Sequence, residues 1–402
     1  MKEKRLYVIV AFLTLAVGIG VPQAWLAHSR SHVRPPRRHT PPIQVQSQTT
    51  GKATLEMVFT LDTTGSMGGL IEGAKQRIWG IVNEVMQSPS HPSVRVGLVA
   101  YRDRGDAYVT KVLPLTSDLD TVYSTLMDYR ADGGGDTPEN VRRALADAVR
   151  EAGWSERAQG VAQIIFLVGD APPHQDYYDE PDTTTTAAEA ARAGIVVNTI
   201  QCGNQPGTQQ VWQMIAASGE GQYFSIAQDG GVQAISTPYD KEMSELGAKL
   251  GSTYVAYGGG VGAAGARYRE EAKMKQAATE SVVVSSAPMG AAADRAVNKA
   301  VNSEAYAGDL MTSLENGSVK LDALKDEELP DELRKLGPEA RKKEIERRLA
   351  ERRKLRADIL KLSKQRDEFI AAARKRLPRN QGSFDSAVAV ALKQQMRRKG
   401  IK

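Results

Sequence analysis

The sequence of 402 residues contains a single cysteine, Cys202. One cysteine excludes an intramolecular disulfide and argues against a zinc site built from cysteine thiolates. Because Cys202 stands at the end of a predicted core strand, we expect a small buried apolar residue rather than a nucleophile. The chain also lacks Gly-x-Ser-x-Gly and His-Glu-x-x-His, and no Gly-Lys-Ser/Thr follows its glycine-rich run at 258–265. These gaps argue against a serine hydrolase of that type, a zinc metalloprotease and a P-loop nucleotide site.

The charges are distributed unevenly, although the composition, 41% hydrophobic and 25% charged, is that of a globular protein. Residues 341–402 carry a net charge of +14 and residues 1–52 carry +7, so the total of +5 leaves −16 on residues 53–340. A basic arm is typical of nucleic-acid binding. The export signal described next argues against nucleic acid. We expect the arm to contact anionic components of the cell envelope or the chain's own acidic domain, and a merely solvated helix surface is the alternative.

The N-terminus has the pattern of an export signal. Residues 1–5 include three basic side chains, and an apolar run follows from Leu6 to Val21. We expect residues 1–27 to be a signal peptide or a single N-terminal membrane anchor, and the rest to lie outside the cytoplasm, as a cell-membrane, periplasmic or secreted protein. No clean cleavage site follows the run, so cleavage and retention both stay open. Residues 28–52 are rich in proline and arginine, which predicts a semi-extended linker.

From residue 53 onward, segments with strand patterns alternate with segments that have helix patterns. Such alternation predicts an α/β domain over residues 53–250, with a doubly wound, mostly parallel sheet that has helices on both faces. Ligands of such sheets bind beyond the carboxyl ends of the strands. The predicted strands span 53–62, 94–102, 108–115, 160–169, 195–202 and 222–226, and the predicted helices span 70–87, 119–129, 139–151, 183–193, 207–218 and 239–250.

The first predicted strand leads directly into a group of side-chain oxygens. Its apolar run stops at Asp62, and Thr64 and Ser66 follow at alternate positions. One bent turn can direct these three side chains to a common point, and carboxylate and hydroxyl oxygens are ligands of hard cations such as Mg²⁺. A turn rich in threonine and serine, without any metal, is the simpler alternative.

The segment Asp62-Thr63-Thr64-Gly65-Ser66 resembles the metal-ion-dependent adhesion motif of von Willebrand factor A domains, Asp-x-Ser-x-Ser, and Thr64 keeps the hydroxyl of the first serine. In that family, a threonine and an aspartate from two later loops complete the site. The resemblance maps them to Thr137, which follows three glycines, and to Asp170, which ends a predicted buried strand. It implies bound Mg²⁺, with Mn²⁺ or Ca²⁺ as alternatives. The implied ligands are Asp62, Thr64, Ser66, Thr137 and Asp170.

Beside this implied site, we expect Asp136 to cap the helix that follows it and Pro138 to open that helix. After residue 250 the composition changes. Glycines within 251–266 predict a hinge, and residues 267–402 predict a basic, helical C-terminal region. Its first part, 267–302, has a helical pattern with a break near 285–288, and 331–377 has the pattern of one or two long helices. Apolar residues along the second part fit a coiled coil, or packing on a partner or on the main domain, equally well.

The resemblance implies a binding module rather than an enzyme. In that family the metal keeps one coordination position open, and an Asp or Glu of a protein partner fills it. Two alternatives stay open: an envelope scaffold in which the metal only stabilises the fold, and a metal-dependent hydrolase or phosphotransferase. A phosphoaspartyl enzyme would place a second aspartate two residues after Asp62, where Thr64 stands, so we expect no enzyme.

Overall fold

The computed structural model describes residues 53–135, 137–302, 306, 308–376 and 382–401. They belong to one compact unit that runs from Thr50 to the C-terminus. The predicted export signal and the proline-rich linker lie outside the described residues. Within the described part of the chain, no helix is both long and apolar enough to cross a membrane.

Six strands form one sheet, and its order along the sheet is β3-β2-β1-β4-β5-β6. Strand β3 is antiparallel to β2, while all other neighbours pair in parallel. The predicted doubly wound, mostly parallel α/β fold is therefore confirmed. The strands are β1 (Thr54–Asp62), β2 (Ser93–Tyr101), β3 (Thr110–Thr116), β4 (Val161–Gly169), β5 (Ile195–Cys202) and β6 (Glu220–Ile226).

Strand β1 lies at the centre of the sheet and is buried on both faces, which explains its nearly continuous apolar sequence. Alternate side chains contact different layers: Leu55, Met57 and Phe59 belong to one hydrophobic cluster, and Val58 belongs to the other. In the β-sheet register Asp62 pairs with Tyr101, and Leu61 pairs with Val168. The parallel strands β1, β2 and β4 therefore end at the same edge, which is where the sequence analysis places the site.

Twelve α-helices are found among the described residues, and five of them cover the two faces of the sheet before residue 220. Helices α3 to α5 contribute to the cluster on one face, and α1 and α2 contribute to the cluster on the other. The helices are α1 (Gly68–Met86), α2 (Leu119–Asp128), α3 (Val141–Arg150), α4 (Thr183–Ala193), α5 (Thr208–Ser218), α6 (Asp240–Ser252), α7 (Gly262–Ser286), α8 (Met289–Val301), α9 (Leu310–Glu315), α10 (Asp331–Arg334), α11 (Pro338–Arg374) and α12 (Phe384–Arg398).

The last helix, α12, lies in the region that was predicted to be helical, but its packing on the sheet, where it completes the core, was not predicted. Its buried residues share the face that α1 covers and follow helical spacing, from Phe384 through Val388 to Leu392 and Met396. The backbone N–H of Phe384 donates to the carbonyl of Gly230, 2.9 Å away, at the start of the helix. Arg77 of α1 pairs with Asp385 at 3.1 Å. The α/β core is thus closed by residues that lie at the far end of the chain.

Helix α6 packs on α8 and α11, in a cluster that includes Met243, Val297 and Ile359. Buried ion pairs join these helices. Arg366 of α11 lies 2.6 Å from Asp240 of α6 and 2.6 Å from Asp294 of α8. The predicted helical character of the C-terminal region is confirmed, including the break, which falls at residues 287–288 between α7 and α8.

Candidate functional site

The turn after β1 is organised around the carboxylate of Asp62, which is 1% exposed. One oxygen, Oδ1, accepts the backbone N–H of Thr64 at 2.9 Å and its hydroxyl at 2.6 Å. An aspartate whose side chain accepts hydrogen bonds from the residue two positions later stabilises a tight turn in place of backbone hydrogen bonds of a helix or sheet. The second oxygen, Oδ2, is buried and has no hydrogen-bond partner among the described residues.

Ser66 and Asp170 lie at the same edge of the sheet. The hydroxyls of Ser66 and Thr64 are 3.5 Å apart, and the Ser66 side chain is exposed. Asp170, directly after β4, accepts a hydrogen bond from Gln228 Nε2 at 2.7 Å. The same nitrogen lies 3.4 Å from the Ser66 carbonyl. Gln228 therefore connects the turn after β1 to the turn after β4, a role that the sequence analysis did not assign to it.

The glycine loop at 133–135 closes over this turn. Gly133 accepts the N–H of Gly65 at 3.2 Å, and Gly134 donates to the Asp106 carboxylate at 3.1 Å. Gly134 has φ +79°, and a Cβ there would lie 3.1 Å from the Thr64 Cβ and 3.2 Å from Glu139 Oε1. Both the backbone conformation and the close approach therefore require glycine at this position.

Beyond this loop, Thr137 and Glu139 lie in different environments. Thr137 is exposed, and its side chain makes no hydrogen bond to another described residue. Glu139 is 4% exposed instead, and its Oε2 has no hydrogen-bond partner in the described part of the chain. A glutamate before a helix is usually solvated, so sequence pattern alone gave no signal for this burial.

The predicted start of the helix after the glycine loop is wrong. Helix α3 begins at Val141, so Pro138 precedes it instead of opening it. The cap is Asn140, whose side chain accepts the N–H of Arg143 at 3.0 Å. Asp136, the predicted cap, lies outside the described residues.

The electrostatics of the edge favour a cation. Burial, reinforced by the nearby Asp170 carboxylate, raises the pKa of Asp62 to about 7. Burial also raises the pKa of Glu139 to about 9, and the charges of Asp62 and Asp103 add to the effect. A raised pKa means that the surroundings stabilise the ionised carboxylate poorly. A bound cation would stabilise the ionised form and lower the pKa.

The end of β4 leaves room beside Asp62. A Cβ at Gly169 would lie 2.3 Å from the Tyr101 hydroxyl and 3.1 Å from Asp62 Oδ2. The hydroxyl donates to the Val168 carbonyl at 3.2 Å. Glycine at position 169 therefore leaves a space beside the unpartnered oxygen of Asp62 that the side chain of any other residue would enter.

These observations fit the divalent cation that the resemblance implies. Asp62 Oδ2 and Glu139 Oε2 lack hydrogen-bond donors among the described residues, and the hydroxyls of Thr64 and Ser66 are adjacent. A hard cation takes oxygens of both kinds. No group of three or more His, Cys, Asp or Glu side chains in the described residues is arranged to hold a metal. Any donor set at this edge therefore depends on hydroxyls as well as on carboxylates.

Comparison with known families identifies the α/β part of the chain. Residues 56–238 match the sequence model of the von Willebrand factor A domain. The chain carries a von Willebrand factor A domain. Such domains generally serve as protein-binding or adhesion modules and are typically non-catalytic. The A domain spans all six strands, while α6 to α12 lie beyond the matched residues.

The similar proteins named below align with less than half of this chain. The von Willebrand factor A domain-containing protein 7 of Rattus norvegicus is 33% identical over 139 residues, which are 35% of this chain and 14% of that protein. An ariadne-like RING finger protein of Acanthamoeba polyphaga mimivirus is 28% identical over 126 residues, which are 31% of this chain and 12% of that protein. Among solved structures, the VWA domain of SpRpn10 aligns with 44% of this chain and 88% of that chain, with 16% identity and a TM-score of 0.33.

Proposed function

We propose that this A domain is a divalent-cation-dependent protein-binding module. The observation that carries the proposal is the second oxygen of Asp62, which is buried and has no hydrogen-bond donor in the part of the chain that the structure describes, although the other oxygen of the carboxylate accepts two hydrogen bonds. A buried carboxylate oxygen that is left unsatisfied is costly, and a bound cation removes that cost. The ion we propose is Mg²⁺, with Mn²⁺ or Ca²⁺ as alternatives, held by Asp62, Thr64, Ser66, Thr137 and Asp170.

In this proposal the residues of the edge hold the ion and the partner supplies its last ligand. Asp62 and Asp170 contribute the negative charge, and the hydroxyls are neutral, so the bound ion keeps enough charge to attract a third carboxylate. Ser66 and Thr137 are the exposed members of the set. The partner is therefore a protein that offers an Asp or a Glu side chain.

We place this activity outside the cytoplasm, at the cell membrane or in the surrounding envelope. The support is the basic and then apolar pattern of residues 1–21. The basic C-terminal segment would then meet anionic envelope components or the chain's own acidic residues, as Arg366 meets Asp240. Nucleic acid is not a partner in this proposal.

The experiment compares partner capture by the full chain with and without a chelator. Envelope proteins captured in Mg²⁺ should be released by EDTA and captured again when Mg²⁺ is restored in excess. Thr137→Asp adds a carboxylate beside the proposed open position and should reduce capture about as much as EDTA does. Ala107→Asp is the control, because Ala107 is also exposed in a loop at this edge and gains the same charge.

Two outcomes would contradict the proposal. If capture survives EDTA, the metal is not part of the interface, and the scaffold alternative, in which a metal only stabilises the fold, replaces it. If replacing the contacting carboxylate of an identified partner by its amide leaves capture unchanged, the acidic side chain is not the ligand.

A further inference from the structure

A cavity of about 400 Å³ lies at the edge of the sheet opposite the candidate metal site. Its floor is formed by the first residues of β4 and β5, including Ala162, Ile164 and Ile195. Leu55 pairs with Ala162, and Asp62 lies seven residues further along β1. At roughly 3.3 Å per residue, the two sites are about 23 Å apart and cannot share one small ligand.

The rim of this cavity is basic. Arg157, Arg192, Arg398 and Lys399 line it, and Glu220 is the one carboxylate among the lining residues. None of these four cations has a carboxylate oxygen within 4.0 Å in the described part of the chain. Among the described residues, Arg398 donates only to the Glu220 carbonyl, 3.4 Å away, and Arg157 donates only to the Arg192 carbonyl, 3.5 Å away. Their hydrogen-bonding capacity is therefore largely unused.

The positions of two of these cations at helix ends explain part of the positive charge, but they do not explain why all four cations line one cavity. Arg192 lies in the last turn of α4 and Arg398 is the last residue of α12, and cations near the C-terminus of a helix are favoured by the helix dipole. Arg157 is not in a helix; it precedes β4 and packs over Gly194, where a Cβ would lie 2.9 Å from its Cδ. Three separate segments thus direct cations to one cavity.

The backbone at the rim is held in a strained form. Glu220 has φ +55°, one of two non-glycine residues with positive φ in the described ranges. Gly219 and Gly221 press against Val197 so closely that a Cβ on either would lie 2.5 Å or less from it. This contact fixes the Glu220 backbone, whose carbonyl in turn orients Arg398.

We propose that this cavity is a binding site for a small organic phosphate. A phosphate monoester carries close to two negative charges at neutral pH and matches the planar forks of several guanidinium groups, whereas one carboxylate would use only one of them. The apolar floor suits an organic body attached to the phosphate, and the volume lies within the range of small-molecule sites, about 300–1,000 Å³. Buried Gln395 closes the floor from α12, where its amide pairs with that of Asn198. The site is independent of the proposed metal.

The test is isothermal titration of the full chain with phenyl phosphate, inorganic phosphate and benzoate in EDTA. Phenyl phosphate should bind at least tenfold more tightly than either of the others, because it alone has both the dianion and the apolar body. Arg192→Glu on α4, and Arg398→Glu on α12, should each weaken that binding at least tenfold. Arg397→Glu is the matched control, since Arg397 is exposed at the same helix end and does not line the cavity, and it should change binding less than twofold.

Circular dichroism spectra and melting curves of each variant show whether weaker binding comes from a loss of fold. Arg192→Glu changes no residue of α12, so it tests the cavity without altering the helix that completes the core. Equal binding of phenyl phosphate to the wild type and to both cavity variants would overturn the proposal, and so would equal binding of benzoate. Sedimentation with phosphatidic-acid vesicles shows whether the bound phosphate belongs to a lipid or to a soluble molecule. Vesicle binding that depends on Arg192 and Arg398 would assign the phosphate to a lipid headgroup, and its absence beside phenyl phosphate binding would assign it to a soluble molecule.

Discussion

The ring of Phe384 lies against the ring of Phe59, with the centroids 6.0 Å apart and the planes at 50°. Phe59 also stacks on Phe166 at 5.3 Å. The contact joins the central strand β1 to the last helix, α12, although the two residues are separated by most of the chain. The A domain therefore buries its sheet with the help of residues that lie outside the matched segment 56–238.

This contact predicts that a change near the C-terminus destabilises the A domain. Phe384→Ala removes a fully buried ring from the core and should lower the free energy of unfolding by about 3–5 kcal/mol. Val390→Ala on the same helix is the control, because Val390 is 55% exposed, and it should cost less than about 0.5 kcal/mol. Urea denaturation of the full chain measures both. Similar values for the two variants would show that α12 does not pack on the sheet as described.

We expect the loss of a buried ion pair to lower the free energy of unfolding by a similar amount. Arg352 and Asp309 have fully buried side chains 2.5 Å apart, and Arg352 also donates to Thr253 at 2.7 Å. Arg352→Leu leaves the Asp309 carboxylate buried without its cation and should cost about 3–5 kcal/mol of unfolding free energy. The neighbouring Arg353, 66% exposed and 3.7 Å from Glu315, gives the control. Arg353→Leu should change stability by less than about 0.5 kcal/mol in the same denaturation experiment.

The raised pKa values at the edge predict a pH dependence of stability without metal. Asp62 and Glu139 bind protons more tightly in the folded state, with pKa values of about 7 and about 9, than in the unfolded state, where carboxyl groups titrate near 4. Their stabilising contribution is complete below about pH 4 and is lost as pH rises toward 9. For Asp62 alone the loss is on the order of 4 kcal/mol at most.

The corresponding measurement is the melting temperature in EDTA at pH 5 and at pH 8. The wild type should lose more between these values than Asp62→Asn, which cannot ionise, and Mg²⁺ should restore more stability to the wild type at pH 8 than at pH 5. Asp322→Asn, in a distant exposed segment, is the control and should follow the wild type. If Asp62→Asn and the wild type lose the same amount, the buried carboxylate does not carry this dependence.

The fold could be predicted from the sequence because, along the A domain, the local sequence patterns for strands and helices coincide with the strands and helices of the structure. The predicted helix at 183–193 and strand at 195–202 coincide with α4 and β5. The strand that ends at Asp62 was predicted for the same reason, as an apolar run that stops at a carboxylate. These strands and helices depend mainly on residues that are close together in the chain, and a single sequence shows those residues directly.

What the sequence did not predict depends on distant contacts. Helix α12 has apolar residues at helical spacing, but its partner strand lies more than 300 residues earlier, so no local pattern reveals where it packs. Glu139 is similar, because its burial follows from the glycine loop folding over Thr64. Gln228 joins two turns that are adjacent only after the sheet has formed.

The export prediction concerns residues outside the described part of the chain and can be tested separately. A reporter that is active only in the cytoplasm, fused after residue 402, should be inactive, because the basic residues before Leu6 favour retention of that end inside. Replacing residues 1–27 by a methionine should restore the activity of the reporter. Full activity of the unaltered fusion would contradict the predicted location.

The central claim is that Asp62 holds a divalent cation, and calorimetric titration of the full chain with Mg²⁺ tests it most directly. The wild type should bind one ion, and Asp62→Ala should show no measurable binding while keeping the wild-type circular dichroism spectrum, because Asp62 ends β1 at the rim of the sheet. Asp132→Ala at the same edge, where the Asp132 side chain is 80% exposed, should bind as the wild type does. Unchanged Mg²⁺ binding in Asp62→Ala would contradict the account.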